Sequence, residues 1–143
     1  MKRNKAFKII SWVLVAACMV FIFAMSAQPA DISDKTSDWV IVFLGLELSV
    51  DFVRTAAHFI EFAGLAVLVF NALYWSFEKF RPFLAFAISA LYAVSDELHQ
   101  LFVEGRSCQL TDILIDSAGA LIGVAGALLL GRLILYFKGR RSV

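Results

Sequence analysis

Residues 95–119 read SDELHQLFVEGRSCQLTDILIDSAG and lie between two strongly apolar segments. The stretch is rich in ionisable and polar side chains, which are Asp96, Glu97, His99, Gln100, Arg106, Asp112 and Asp116. An ionisable group inside a membrane helix costs about 2.5–3.5 kcal/mol on insertion scales, so such groups usually face the interior of a helical bundle and belong to a site. The stretch therefore predicts a polar site within an apolar bundle.

The composition is typical of a membrane protein. Of the 143 residues 61% are hydrophobic, and the mean hydropathy is +0.81, whereas soluble proteins are about half apolar. The net charge of +1 gives no indication of a nucleic-acid partner, since the basic residues form no patch with aromatic neighbours. Two cysteines make no disulfide framework. We expect a single membrane domain over residues 1–143, with membrane lipids as its partners, and the sequence indicates no oligomeric state.

Four apolar segments predict an all-α integral membrane bundle with four transmembrane helices. The predicted spans are about residues 9–27, 55–75, 82–102 and 112–136. Each is long enough to cross a hydrocarbon core about 30 Å thick. Pro82 suits the first turn of a helix, where its missing N–H group loses no bond. A cleaved signal peptide is the alternative for the first segment, because AMSAQPA contains the small residues that a signal peptidase prefers.

The connection between the first two spans contains an apolar segment that is shorter than the predicted spans. Pro29 and the polar tract ADISDKTSD are expected to end the first helix and to open a long loop. Residues 38–49, DWVIVFLGLELS, are apolar but too short to cross a bilayer. This length predicts a short interfacial or re-entrant segment. It would form a lid, or it would only pack at the bundle edge and anchor through Trp39.

The distribution of lysine and arginine predicts the orientation of the chain. One side of the membrane would receive the basic residues at positions 2, 3, 5, 8, 79, 81, 138, 140 and 141. The other side would receive only Lys35, Arg54 and Arg106. Because cytoplasmic flanks carry the excess of basic residues, both termini are predicted to be cytoplasmic. The loops at residues 31–51 and 104–110 are then extracytoplasmic.

Helical spacing brings polar residues of three predicted spans to one depth. They are Arg54, His58 and Glu61 on the second span, Asp96, Glu97, His99 and Gln100 on the third, and Asp112 and Asp116 on the fourth. At 1.5 Å per residue, all lie within about 10 Å of the outer interface. Spacings of three and four put each set on one helix face. Glu97 is the exception, since it points about 100° away, towards the following loop or Arg106.

The fourth span carries a small-residue seam that fixes its orientation. Asp112, Asp116, Gly119, Gly123 and Gly126 follow one another at spacings of four, three, four and three. Small residues on a membrane helix let a neighbouring backbone approach closely. The seam therefore predicts that both aspartates face the bundle interior. For Asp112, a helix cap is an alternative explanation, because a carboxylate near a helix start satisfies free N–H groups.

Several motifs of this chain resemble one family. They are FAMSAQP after the first span, RTAAHFIEFAGL in the second, and DELHQLF, GR and TDxxxDxxGxxxG around the polar stretch. Together they resemble the VanZ-like family of small integral membrane proteins, named after a teicoplanin resistance determinant. The family often has a lysine ahead of the histidine in the second span, where this chain has Arg54, so the charge is kept and the geometry is not. The resemblance implies a multi-pass protein of the bacterial plasma membrane that contributes to glycopeptide resistance, and it implies no known reaction.

Clustered carboxylates and imidazoles are the groups that general acid and base catalysis uses. We assign acid, base or electrostatic roles to Asp96, Glu97, His99, His58 and Glu61, and substrate binding to Arg54, Gln100, Arg106, Asp112 and Asp116. No cofactor is expected. A divalent metal is an alternative, because histidine and carboxylate pairs three residues apart can coordinate metals in helical bundles.

Three functions are compatible with such a site. The first is an enzyme, or a lipid-modifying factor, that acts in the outer leaflet on a cell-envelope or lipid-linked substrate. The second is a non-enzymatic protein that binds or sequesters a lipoglycopeptide or lipid head groups. The third is a small proton-linked lipid transporter, which the scarcity of polar residues in the inner halves of the spans disfavours.

Overall fold

The computed structural model describes residues 5–45 and 47–140, and this part of the chain folds into α-helices without a β-strand. The helices are α1 (Lys5–Ser26), α2 (Ala30–Leu44), α3 (Val50–Phe77), α4 (Pro82–Gln100) and α5 (Leu110–Arg140). The all-α prediction is therefore confirmed. The basic residues at positions 2, 3 and 141, which entered the predicted orientation, lie outside the described residues.

Three of the described helices, α1, α3 and α5, are long and apolar enough to cross a membrane. The chain is thus a multi-pass membrane protein. The predicted count of four crossings is not confirmed by length and hydropathy, because α4 is not among these helices. The last turns of α4 carry Asp96, Glu97 and His99, which lower its mean hydropathy.

Side-chain contacts along the helices fix their relative directions. Trp12 Nε1 donates a hydrogen bond of 3.0 Å to Ser76 Oγ at one end of the bundle. Ser26 Oγ donates a hydrogen bond of 2.7 Å to Asp96 Oδ2 at the other end. Helix α1 is therefore antiparallel to α3 and parallel to α4. The end that holds the last turns of α1 and α4 and the first turns of α3 and α5 is named the polar end.

The glycines of α5 bring this helix against α3 in the parallel direction. A Cβ atom at Gly119 would collide with the carbonyl oxygen of Phe59, and one at Gly123 with that of Ala63. The seam prediction is confirmed for these two glycines, because only a residue without a side chain permits such close backbone contact. It is wrong for Gly126, since no described atom lies within 4 Å of a Cβ built there.

Beyond Gly123 the two helices separate around a second cavity. This cavity has a volume of about 300 Å³ and lies between Phe70 and Tyr74 of α3 and Ala127 and Leu130 of α5. It lies towards the end of the bundle opposite to the polar end. Gly126 is exposed on the surface of α5 and does not line this cavity.

Helix α2 corrects the prediction of a long loop after the first span. It begins directly after Pro29 and ends at Gly45, whose φ of 63° is the left-handed conformation that glycine adopts readily. The predicted apolar segment 38–49 is therefore divided at Gly45. With 15 residues, α2 is about 22 Å long and too short to cross the hydrocarbon core. Trp39 stacks on Phe43 at 5.1 Å between ring centroids, and both are exposed.

An apolar core fills the bundle beneath the polar end. Phe62, Leu65, Ala66 and Val69 of α3 are fully buried, and Ile22 of α1 packs into the same cluster. Ala93 of α4 and Ala120 of α5 complete it. Helix α3 is thus the central element, and the polar side chains lie on one end of its packed face.

Candidate functional site

A polar cavity of about 310 Å³ lies at the polar end. It is lined by Asp51, Arg54, Thr55 and His58 from the start of α3, by Glu97 and Gln100 from the end of α4, by Gly105, Arg106, Ser107 and Gln109 from the following loop, and by Asp112, Ile115 and Asp116 from the start of α5. The prediction that three helices deliver polar groups to one place is therefore confirmed. We call this space the polar cavity.

Asp96 lies behind the wall of the polar cavity and is 2% exposed. Its Oδ2 atom accepts hydrogen bonds from Ser26 Oγ at 2.7 Å and from Gln100 Nε2 at 3.2 Å. Its Oδ1 atom is buried and has no partner among the described residues. Asp96 therefore ties α1 to α4 and is not one of the residues that line the cavity.

Glu97 lines the cavity and holds the loop that closes it. Its Oε2 atom accepts a hydrogen bond of 3.0 Å from the backbone N–H of Gln109, and its Oε1 atom accepts one of 3.1 Å from Gln100 Nε2. The predicted direction of Glu97, towards the loop, is confirmed. Both carboxylate oxygens of Glu97 thus accept hydrogen bonds from the protein at the cavity wall.

Arg106 reaches from the loop across to the end of α1. Its Nε donates to the backbone oxygen of Gln28 at 3.2 Å, and its Nη1 donates to Gln100 Oε1 at 3.4 Å. Within residues 5–45 and 47–140, no carboxylate lies at ion-pair distance from this guanidinium. Burial lowers the pKa of Arg106 from its ordinary value, and the positive charge of Arg54 acts in the same direction. Arg106 is thus a positioned cation that has no carboxylate at ion-pair distance among the described residues.

Asp116 is the least satisfied polar side chain of the site. It is 1% exposed, it lines the cavity, and neither of its carboxylate oxygens has a hydrogen-bond partner in the described structure. A buried polar group without a partner destabilises a fold, and an unpaired buried charge does so more strongly. The carboxylate is therefore available to a group that enters the cavity.

His58 and Asp112 complete the wall around Asp116. The Nδ1 atom of His58 is buried and has no partner among the residues described. Asp112 lies in the first turn of α5, where a carboxylate interacts favourably with the helix dipole, and it also lines the cavity. The position of Asp112 is thus compatible with a carboxylate that faces the bundle interior and with one that caps the helix.

Besides Asp96, two further predicted residues, His99 and Glu61, do not line the polar cavity. His99 stacks on Phe23 of α1, with 4.1 Å between ring centroids. It follows Glu97 by two residues and so lies about 200° around α4 from it. Glu61 lies about one turn further along α3 than His58 and is not among the residues that line the cavity. His99 and Glu61 therefore do not share the cavity with His58, Gln100 and Asp116.

Arg54 lines the cavity but has protein partners for its charge. Its Nη1 contacts Asp34 of α2 at 3.1 Å, and its Nη2 contacts Asp51 at 3.2 Å. The side chain therefore ties α2 to α3. Of the two arginines predicted to bind a substrate, Arg106 alone has no carboxylate beside it in the described part of the chain.

The metal alternative stays a prediction. No group of three or more histidine, cysteine or acidic side chains among the described residues is arranged to hold a metal ion. The histidine and carboxylate pairs three residues apart are His58 with Glu61 and Asp96 with His99. The ring of His99 lies on the α1 side of α4.

The roles of two residues of the site, Gln109 and Ser26, were difficult to predict from the sequence. Gln109 acts through its backbone N–H, and every residue except proline has that group. Ser26 looked like a helix-ending residue, yet it donates the short hydrogen bond to Asp96. Only its place within the FAMSAQP motif of the resemblance indicated a further role.

The all-α fold, the three apolar helices and the polar cavity at one end define a small multi-pass membrane protein with an internal polar site. The family model described as VanZ/LLP1 matches residues 11–131. The match covers most of the chain and includes every residue that lines the polar cavity, so the chain belongs to the VanZ/LLP1 family. No curated protein and no solved structure matches this chain.

Proposed function

We propose that the protein binds the head group of a cell-envelope lipid or lipid-linked precursor in the outer leaflet of the bacterial plasma membrane, and that this binding contributes to glycopeptide (teicoplanin) resistance. The observation that carries the proposal is the buried carboxylate of Asp116, which lines the polar cavity and has no partner among the described residues. Such a group is retained at a cost to stability where a ligand supplies its partner.

We propose that the chain crosses the membrane four times. Helices α3 and α5 run in parallel, because Gly119 meets Phe59 and Gly123 meets Ala63. A chain that crosses twice in the same direction must return between the two crossings. Helix α4 is the helix that lies between them in the chain, and it contacts both. Its apolar first part with a polar last part suits a crossing that ends at a polar site.

The charge distribution supports an outer position for the polar cavity. Lys5, Lys8, Lys79, Arg81 and Lys138 lie at the end opposite to the polar end. An excess of basic residues marks the cytoplasmic side of a membrane protein. Both termini are then cytoplasmic, and the polar cavity faces the outer leaflet.

The volume of the cavity restricts what can enter it. About 310 Å³ corresponds to the order of ten water molecules. A lipid head group fits such a space, whereas a glycopeptide antibiotic is many times larger. The proposed role in resistance therefore acts on an envelope component, or on one small part of the antibiotic, and not on an enclosed antibiotic molecule.

A second candidate is proton-transfer chemistry on the bound head group. His58 and Glu97 line the same cavity, and the buried Nδ1 atom of His58 has no partner in the described part of the chain. An imidazole and a carboxylate in one pocket provide the base and the acid that such chemistry needs. Proton-linked transport is not favoured, because fully buried Phe62, Leu65 and Val69 lie beneath the cavity.

The proposal is tested with cells that produce the protein or its Asp116→Asn variant. The substitution keeps the size of the side chain and removes its charge, so we expect teicoplanin resistance to fall to the level of cells without the protein. Asp38→Asn is the matched control, since Asp38 is an exposed aspartate of α2 away from the cavity. Equal resistance for wild type and Asp116→Asn, at equal protein levels, would contradict the proposal. Lipid and precursor analysis of the same cells separates binding from chemistry, because only chemistry changes the species present.

A further inference from the structure

The charges around the polar cavity have an asymmetric arrangement. Glu97, Asp112 and Asp116 lie on its α4 and α5 walls, and Arg106 lies on its loop wall. The charge of Arg54 is already balanced by Asp34 and Asp51. The charged groups that act on Asp116 are carboxylates, with Glu97 first among them. The cavity therefore has an acidic floor and, at its side, one guanidinium with no carboxylate at ion-pair distance in the described part of the chain.

Asp116 on the acidic floor needs a hydrogen-bond donor, whereas Arg106 on the loop wall needs an acceptor. The carboxylate oxygens of Asp116 are acceptors, and neither has a donor among the described residues. Arg106 has five N–H groups, of which the described bonds use those on Nε and Nη1. A purely anionic ligand would satisfy Arg106 and be repelled by the carboxylates, whereas a purely cationic ligand would leave Arg106 unpaired.

We infer that the polar cavity takes a zwitterionic head group that joins a primary amine to a phosphate, of the phosphoethanolamine type. This inference rests on the proposed function and names the class of its ligand. The ammonium group donates to Asp116, with Glu97 and Asp112 nearby, and the phosphate accepts from Arg106. A planar guanidinium is well suited to a phosphate, and both contacts are charge-assisted hydrogen bonds.

The lining distinguishes a primary amine from a choline group. A quaternary ammonium has no N–H group to donate, and proteins bind it with cages of aromatic rings. No phenylalanine, tyrosine or tryptophan lines the described cavity. Phosphocholine would therefore leave Asp116 without its hydrogen bonds, and phosphoglycerol would bring no cation to it.

The experiment measures lipid retention by native mass spectrometry of the full-length protein in detergent. Short-chain phosphatidylethanolamine, phosphatidylglycerol and phosphatidylcholine are offered in turn, and O-phosphoethanolamine is added as a soluble competitor. We expect retention of phosphatidylethanolamine to exceed that of the other two lipids by about tenfold, since losing a charge-assisted hydrogen bond costs on that order. Displacement by the competitor supports recognition of the free head group, and its failure supports the lipid as the source of the same chemistry.

Variants separate this inference from the proposed function. We expect Asp116→Asn to remove the preference for the amine lipid, and Arg106→Gln to weaken retention of both phosphatidylethanolamine and phosphatidylglycerol, while Asp38→Asn behaves as wild type. Asp112→Asn tests the same acidic floor if the Asp116 variant does not remain monodisperse. Equal, Arg106-dependent retention of all three lipids would overturn the inference and keep the proposed function. Retention that no cavity variant alters would overturn both.

Discussion

Neighbouring side chains of α4 contact different parts of the structure because a helix turns about 100° per residue. Asp96 faces α1 and accepts from Ser26, whereas Glu97 faces the polar cavity and accepts from the backbone of Gln109. Two residues further on, His99 faces Phe23. A short polar run thus provides a structural carboxylate, a cavity carboxylate and a packed imidazole.

The hydrogen bond from Ser26 to Asp96 predicts a loss of stability in Ser26→Ala. The variant leaves a buried carboxylate with one donor fewer, and we expect the free energy of unfolding to fall by about 1–3 kcal/mol. Reversible unfolding in mixed detergent micelles measures the change. Ser95→Ala is the control, because Ser95 precedes Asp96 on α4 and is exposed. Indistinguishable unfolding of the two variants would rule out the bond as a stabilising contact.

Asp116→Asn is expected to unfold no more easily than wild type, even though resistance is lost. The substitution removes a buried ionisable group for which the described residues offer no partner, so the cost of burying that group is lost. Thermal unfolding of the purified proteins tests this expectation. A variant that unfolds well below wild type would indicate that Asp116 has a structural role instead.

At the scale of the elements, the contact between α3 and α5 decides where the acidic floor lies. Gly119 and Gly123 permit this contact, and Asp116 is carried into the bundle one turn before Gly119. Helix α2 is attached differently, through the ion pair between Arg54 and Asp34 at 3.1 Å. Because that pair is partly exposed, it positions α2 and contributes little to stability.

The glycine contact predicts that Gly123→Leu disrupts the bundle, whereas Gly126→Ala does not. A side chain at position 123 meets the backbone of Ala63, so α3 and α5 must separate, and overpacking costs about 1–3 kcal/mol or more. At position 126 there is space among the described atoms for a methyl group. Size-exclusion profiles and unfolding temperatures of both variants measure the difference. Equal behaviour of the two variants would contradict the parallel packing of α3 on α5.

At the scale of the whole molecule, the topology determines whether the cavity faces the outer leaflet. Three described helices are long and apolar enough to cross by themselves, and α4 contacts both α3 and α5. Because α4 joins two parallel helices, the loops at its two ends belong to opposite sides of the bundle. The side of the membrane on which residue 79 lies, compared with that of residue 108, therefore shows whether α4 crosses and which way the chain is oriented.

Thiol labelling in intact cells tests the topology. Cys18→Ser leaves Cys108 of the cavity loop as the natural thiol, and we expect a membrane-impermeant maleimide to label it from outside. In a cysteine-free background, Lys79→Cys is expected to react only after permeabilisation. Labelling of both positions from the same side would show that α4 does not cross. Labelling of position 79 alone from outside would reverse the orientation.

Much of this fold followed from local sequence. The apolar runs and polar breaks predicted the helices at 82–100 and 110–140 to within a few residues, because a helix in a bilayer must satisfy its own backbone. The polar segment after Pro29 was misjudged as a loop. Helix α2 packs there on α3, and its ion pair to Arg54 positions it. Neither contact is visible in the local pattern.

The sequence by itself determined that the chain is an all-α membrane protein with acids and imidazoles near one end of its helices, because composition and helical period are properties of the chain alone. Only the tertiary structure decided which of them share a cavity. In the folded protein, Glu97, Asp112 and Asp116 line one cavity together with Arg106. His99 stacks on Phe23 instead, and Arg54 forms an ion pair with Asp34. The reason is physical: spacing fixes the relative directions of side chains on one helix, but the direction of a whole helix face depends on the neighbours against which it packs.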